Sequence, residues 1–274
     1  MKILARCAAA LLAGLAFSGV WAQEATREAD TYANKSSGPI VILPPDYGDV
    51  DDELDGTLYF PGLEYRSGDG WWSLACGDDG RTCQLLPARL DVAAHPHPQH
   101  DEPDVPGQRL RFTPAPDGSL LFFKPFRAPA DTLVFEAGAV ETWRIARSTR
   151  TPGTMEGELA LADGRLLRFV PTAQGYGSVA LELILDGKRQ TLGFFPAGEY
   201  PIALERYVSW IGDLDRDGKP DFIVRFSYGF SNGDGNCGQG PDFALFLSSL
   251  AKPGEIVGLA GSFSYLPIDD AAGC

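Results

Sequence analysis

The sequence is short of positive charge, of histidine and of long apolar runs, and each shortage closes off a class of function. Lys and Arg number 23 against 37 Asp and Glu, for a net charge of −14. A body this acidic lacks the basic surface that phosphate neutralisation needs, so nucleic acid is excluded as a partner on charge. The same charge disfavours adsorption to anionic membranes and suits divalent cations. The three histidines all lie in His95-Pro96-His97-Pro98-Gln99-His100. A hydrolytic triad therefore has no base to draw on elsewhere. The prolines favour an extended backbone, which does not converge imidazoles on zinc or copper without folding back. His95, His97 and His100 are thus weak metal candidates, and a Pro-rich surface loop is the plainer reading. No C-x-x-C spacing occurs, so a cysteine zinc site is disfavoured. No clean internal repeat at a propeller-like period is present.

The apolar run from Cys7 to Phe17 is too short to cross a bilayer, which takes about 20 residues. It follows Lys2 and Arg6 and leads to small residues ending in Val20-Trp21-Ala22. That pattern predicts a signal peptide, residues 1–22, cleaved after Ala22; an uncleaved anchor is the alternative. The expected location is periplasmic or extracellular, with no membrane insertion after cleavage. Losing Lys2 and Arg6 takes the charge from −14 to −16. Cys7 leaves with the signal, and Cys76, Cys83, Cys237 and Cys274 remain. An even count in an exported chain reads as a disulfide framework with three pairings open. Cys76–Cys83 is favoured because it closes a short loop around Gly77-Asp78-Asp79-Gly80, leaving Cys237–Cys274 to staple the C-terminus.

What is plentiful is punctuation: 32 glycines and 21 prolines cut the chain into short apolar runs. Examples are 40–43, 57–60, 120–123, 132–135, 165–170, 178–186, 207–211, 222–226 and 243–247. Val179, Leu181, Leu183 and Leu185 alternate with period two, the signature of a strand with one buried face. The expected fold is all-β, with many short antiparallel strands in a sandwich, a barrel or a partial propeller-like body. One blade-like unit is expected near the C-terminus, and one short helix is conceivable over 245–252. Residues 23–38 are polar and read as a flexible mature N-terminus. A soft boundary over 147–153 divides an N-terminal β region, 39–150, from a C-terminal one, 151–274.

The sharpest chemical feature is Gly212-Asp213-Leu214-Asp215-Arg216-Asp217-Gly218-Lys219-Pro220-Asp221-Phe222-Ile223-Val224. Calcium is a hard cation that takes six to eight oxygens at about 2.3–2.6 Å. Alternating carboxylates on a tightly curled loop can point inward together, with Gly218 supplying the bend. Four crowded carboxylates repel one another unless a cation offsets them. The alternative is a solvated acidic turn held by Asx-type hydrogen bonds. An EF-hand is excluded, since it needs a Glu at loop position 12 between helices, and position 12 here is Val224 in a strand-like run. The stretch resembles the calcium loops of FG-GAP and VCBS repeats: strand, D-x-D-x-D-G-x-x-D, strand. That resemblance implies one Ca2+ held by Asp213, Asp215, Asp217, the Lys219 carbonyl and Asp221. Those families carry several copies in tandem, and this chain has one. As a whole the chain also resembles an exported bacterial family with Ser-Leu-x-x-Pro-Gly-Glu and a terminal Gly-Cys, which implies no activity.

Other constellations are weaker. Gly229-Phe230-Ser231-Asn232-Gly233 matches G-x-S-x-G by letters, but Asp234-Gly235-Asn236-Cys237 does not begin the helix a nucleophile elbow requires. Asp49, Asp51, Asp52, Glu53 and Asp55 allow a second calcium site, a solvated acidic hairpin being the default. Trp71 and Trp72 would point to opposite faces of a strand, which puts one in the core and weakens a sugar-stacking platform. The reading that results is an exported, non-enzymatic β protein with one structural Ca2+. A carbohydrate-binding module or glycan-active enzyme is the alternative; the partner is left open, with a glycan or a protein ligand as the candidates.

Overall fold

The computed structural model describes residues 38–45, 49–50, 58–61, 65–96, 106–126, 133–147, 156–174, 178–196, 204, 207–225 and 243–263. They form three antiparallel sheets, and none closes into a barrel. The first holds β1 (Ile40–Leu43), β2 (Asp49–Val50), β3 (Leu58–Pro61), β4 (Gly68–Cys76), β5 (Cys83–Pro96), β6 (Pro106–Thr113) and β7 (Ser119–Pro125). Their order is β1-β7-β4-β5-β6-β3-β2, with β8 (Gly138–Val140) pairing on β5. The next is β13-β12-β11-β10-β9, made of β9 (Ala146–Arg147), β10 (Gly157–Ala160), β11 (Leu166–Gln174), β12 (Ser178–Leu185) and β13 (Lys188–Pro196). The last is a four-stranded meander in chain order: β14 (Val208–Gly212), β15 (Asp221–Arg225), β16 (Phe243–Leu247) and β17 (Gly258–Phe263). This meander carries the acidic loop between β14 and β15.

The meander is the middle layer, and its side-chain alternation shows why. Trp210, Ile223, Phe243, Leu245 and Leu247 join the core of the first sheet, with Trp71, Leu74, Leu85 and Phe123. Ile211, Phe222, Val224, Ala244 and Phe246 join the core of the β9–β13 sheet, with Leu159, Leu167, Phe169 and Leu181. Successive residues of a strand face opposite ways, so all of β16 and Phe222–Val224 of β15 are apolar because both faces are covered. Phe169 meets Phe222 edge-to-face across one interface, centroids 5.7 Å apart. Each such ring fully buried contributes roughly 1.5–3 kcal/mol. Gln190 of β13 ties that outer sheet to the middle layer at one edge: its Oε1 accepts the Ile256 and Val257 N–H groups and its Nε2 donates to the Val257 carbonyl.

One segment stitches all three layers. After β8, the Asp213 N–H donates to the Glu141 carbonyl at 2.9 Å and the Trp143 N–H to the Ile211 carbonyl at 3.0 Å. That lays 141–143 along β14 before the chain enters β9. Gly212 is required there by space: a Cβ would sit 2.2 Å from the Trp210 ring and 2.5 Å from the Glu141 carbonyl.

Two expectations are corrected. Residues 245–252 are not a helix. Leu245–Leu247 complete β16, and only Ser248–Leu250 turn, as one 3-10 unit. Leu245 and Phe246 are needed on opposite faces of the middle layer, which a helix cannot supply. Of the expected strand over 132–135, the described residues 133–135 form none. Phe135 packs on Phe123 and Trp72, at centroid distances of 5.0 and 6.3 Å, while Val134 is 56% exposed. These residues are held by side-chain contacts and not by a ladder.

Cys76 and Cys83 are disulfide-bonded, closing the β4–β5 hairpin. Cys237, Cys274, residues 1–37, the boundary beyond Arg147 up to residue 155, and the G-x-S-x-G stretch lie outside the described residues. Among the described residues no helix is long and apolar enough to cross a membrane.

Candidate metal centre

The acidic loop connects β14 to β15, adjacent antiparallel strands whose last ladder pair is Gly212 with Asp221. That pair brings the first and last acids of the motif to the same end of the middle layer. The loop curls tightly between them. Gly218 has φ 78° and Arg216 φ 60°, the left-handed region that glycine enters without strain. Arg216 is held there by Glu136, whose carboxylate accepts from its Nη1 at 2.8 Å.

Asp213, Asp215 and Asp221 are brought together, each offering a carboxylate oxygen within 4.8 Å of the others. Asp221 has no exposure, and Asp213 and Asp215 have 8% each. Asp221 Oδ2 accepts the Leu214 N–H at 2.7 Å and its Oδ1 the Ser248 N–H at 2.8 Å. Asp213 Oδ2 accepts the Gly218 N–H at 2.9 Å. Asp215 Oδ2 accepts the Ser249 hydroxyl. Asp213 Oδ1 and Asp215 Oδ1 are buried without any partner.

Asp217 is not one of this trio. Its Oδ1 accepts the Lys219 N–H at 2.9 Å, and its Oδ2 accepts Lys219 Nζ at 3.2 Å and the Ser248 hydroxyl at 2.8 Å. The Lys219 side chain therefore serves Asp217. Ser248 and Ser249, which contact three of the four acids, were not assigned to the site by sequence reasoning, although Ser249 opens the Ser-Leu-x-x-Pro-Gly-Glu pattern. They lie 27 to 34 residues beyond their partners, and the further sequence signal is a Ser pair directly after an apolar strand.

Burial is the first reason that all three clustered carboxyls hold their protons above the ordinary value. For Asp221 the Asp215 charge adds to it, and its value is raised well above the normal range. A carboxyl raised on folding binds more protons in the folded state. Stability from this source is thus greatest below the ordinary value of 3.8 and is lost as pH rises through the raised values. Asp79 and Asp163, lowered chiefly by backbone N–H bonds, act in the opposite sense below 3.8 but are exposed, so their effect is small. The protein in chelator is therefore expected to resist denaturant better at about pH 5 than at about pH 7. Denaturation midpoints at the two pH values in high salt, which screens the general repulsion of an acidic surface, check this. A higher midpoint at pH 7 would contradict it.

Elsewhere, Trp71 is wholly buried in the core and Trp72 half-buried against Phe135, as strand geometry requires. Among the residues whose side chains are described, no aromatic ring is exposed; those of Tyr59, Phe60, Phe194 and Phe195 are not among them. A cleft of about 510 Å3 lies between β6 and β7, lined by Leu110, Phe112, Thr113, Ser119 and Phe122. Arg111 is its charged member, and it holds no acid pair of the kind glycoside hydrolysis uses. His95 lies in β5 and Asp49 in β2, with their side chains outside the description. His97, His100, Asp51, Asp52, Glu53 and Asp55 lie outside the described residues. Comparison with protein-family models, curated proteins and solved structures finds no match to the chain.

Proposed function

We propose that this is an exported, non-enzymatic β protein that holds one structural Ca2+ at the Asp213–Asp221 loop and acts by binding or scaffolding. The observation that carries the metal is the pair of buried, partnerless oxygens, Asp213 Oδ1 and Asp215 Oδ1, in a cluster with Asp221. An acidic turn held by Asx-type hydrogen bonds would use up its acceptors. Here the turn is so held, through the Gly218, Lys219 and Leu214 N–H groups, and two acceptors remain over. Leaving a buried acceptor unmade costs about 1–3 kcal/mol, more for a charged group, and a divalent cation answers both the orphaned oxygens and the mutual repulsion. An all-oxygen donor set selects a hard cation.

Strands on both sides of the loop support the FG-GAP or VCBS type, in single copy. In that reading Asp213, Asp215 and Asp221 are the carboxylate ligands; the motif implies Asp217 and the Lys219 carbonyl besides, but Asp217 is taken up by Lys219 and Ser248 and is not counted as a ligand. Cations so enclosed between core strands serve the fold. The Cys76–Cys83 bond supports an oxidising compartment, as does the Lys2–Ala22 signal pattern. Isothermal titration of calcium into the chelator-stripped protein tests the proposal. One site with measurable heat is expected, and no heat with no change in melting temperature would end it.

A further inference from the structure

We propose that the calcium site is built from two segments of chain, with the Ser249 hydroxyl, delivered by the turn after β16, as an ion ligand beside the loop carboxylates. The inference rests on the calcium reading and deepens it. The three clustered carboxylates each offer one oxygen to a common point, which falls short of the six to eight the ion takes. Asp217, the next acid in the motif, is engaged elsewhere by three donors, one of them the Lys219 ammonium.

The turn Ser248–Leu250 is braced across the cluster. The Ser248 N–H holds Asp221 Oδ1, the Ser248 hydroxyl holds Asp217 and the Ser249 hydroxyl holds Asp215. Two consecutive serines thus address three different carboxylates, their hydroxyls two of them. In the hydrogen bonds to the trio, Asp213 and Asp221 are oriented by backbone N–H groups, while Asp215 is met by a hydroxyl. An amide N–H has no lone pair to give an ion. A hydroxyl has two, and its proton rotates. Ser249 Oγ already touches an oxygen of Asp215, whose other oxygen is open, so it stands at the rim of the cluster with a lone pair to offer. Ser249 is half-buried, which leaves room for water if the hydroxyl is removed.

Terbium, a hard oxygen-seeking ion that occupies calcium sites, provides the test. Its luminescence lifetimes in H2O and D2O count the waters bound to the metal. Ser249→Ala is expected to add about one water to the bound ion and weaken affinity by roughly tenfold or more, since losing even a group that only orients a ligand costs about 10–100-fold. Ser249→Thr, which keeps the hydroxyl, should match the wild type, and Asp217→Asn should leave the water count unchanged. Unchanged hydration in Ser249→Ala, with or without weaker binding, overturns the proposal and leaves Ser249 as a positioning residue. Added water in Asp217→Asn but not in Ser249→Ala overturns it in favour of the loop-only ligand set. Wild-type protein that binds no terbium and no calcium removes the calcium reading itself. Circular dichroism of each variant establishes that it is folded.

Discussion

Calcium added to the chelator-stripped protein is expected to raise its melting temperature by about 5–10 °C. The estimate follows from linkage. A ligand that binds only the folded state at about 100 times its Kd stabilises by about 2.7 kcal/mol. In a chain of this size each kcal/mol moves the midpoint by about 2–4 °C. Binding is confined to the folded state because folding assembles the donors: Asp221 meets Asp213 only when β14 pairs with β15. The effect is global because the loop ends the middle layer. β15 and β16 carry the apolar faces that both outer sheets pack on, so loosening that layer loosens both cores. Arg216 extends the coupling, fastening the loop to Glu136 and to the Ala137 carbonyl next to β8 of the first sheet. Magnesium, which demands near-ideal octahedral geometry and gives up its water reluctantly, should shift the midpoint less. Scanning calorimetry in calcium, magnesium and chelator reads all three, and identical curves in calcium and chelator would refute the expectation.

Strand chemistry was legible where one face only is covered. Leu181 and Leu183 are wholly buried in β12, with Val179 and Leu185 packed against the same core, as their period of two predicts. The middle layer was legible as strands but not as a layer. In Phe243-Ala244-Leu245-Phe246-Leu247 there is no alternation, because both faces are apolar. Such a run does not say what covers it, or even that it is a strand, hence the helix expected over 245–252. Residues 133–135 had the composition of a strand, yet they lie outside any ladder. The loop was legible because four aspartates at fixed offsets encode their own proximity. Asp217 meets Lys219 locally, but its contact with Ser248 and the approach of Ser249 to Asp215 depend on β16 returning beside β15. That pairing is a tertiary fact which no local spacing carries.

The sharpest mutational effect is expected at Asp221. Its carboxylate is the hub between the loop and the turn after β16, with one oxygen on the Leu214 N–H and the other on the Ser248 N–H, in a place with no solvent exposure. Asp221→Ala strands both donors. At about 1–3 kcal/mol for each buried group left unmade, a loss of about 3–5 kcal/mol is expected, at the upper end of what one substitution does. Asp221→Asn keeps one acceptor and aims an NH2 at the remaining N–H, so one donor is still stranded. Against that, it removes a charge that burial and Asp215 both oppose. In chelator, then, Asn should cost about 1–2 kcal/mol, well below Ala. In calcium the gap between the two should stay what it is in chelator, because both lack the anionic ligand and the calcium-dependent rise in midpoint disappears from each. Asp217→Asn, on a partly exposed side chain outside the trio, should cost under about 1 kcal/mol in chelator. Urea denaturation of the three variants and the wild type, each in calcium and in chelator, separates the two roles of Asp221. If Asp221→Ala unfolds at the wild-type midpoint in chelator, the carboxylate does not hold the turn. If Asp221→Asn keeps the full calcium shift, the carboxylate does not hold the ion.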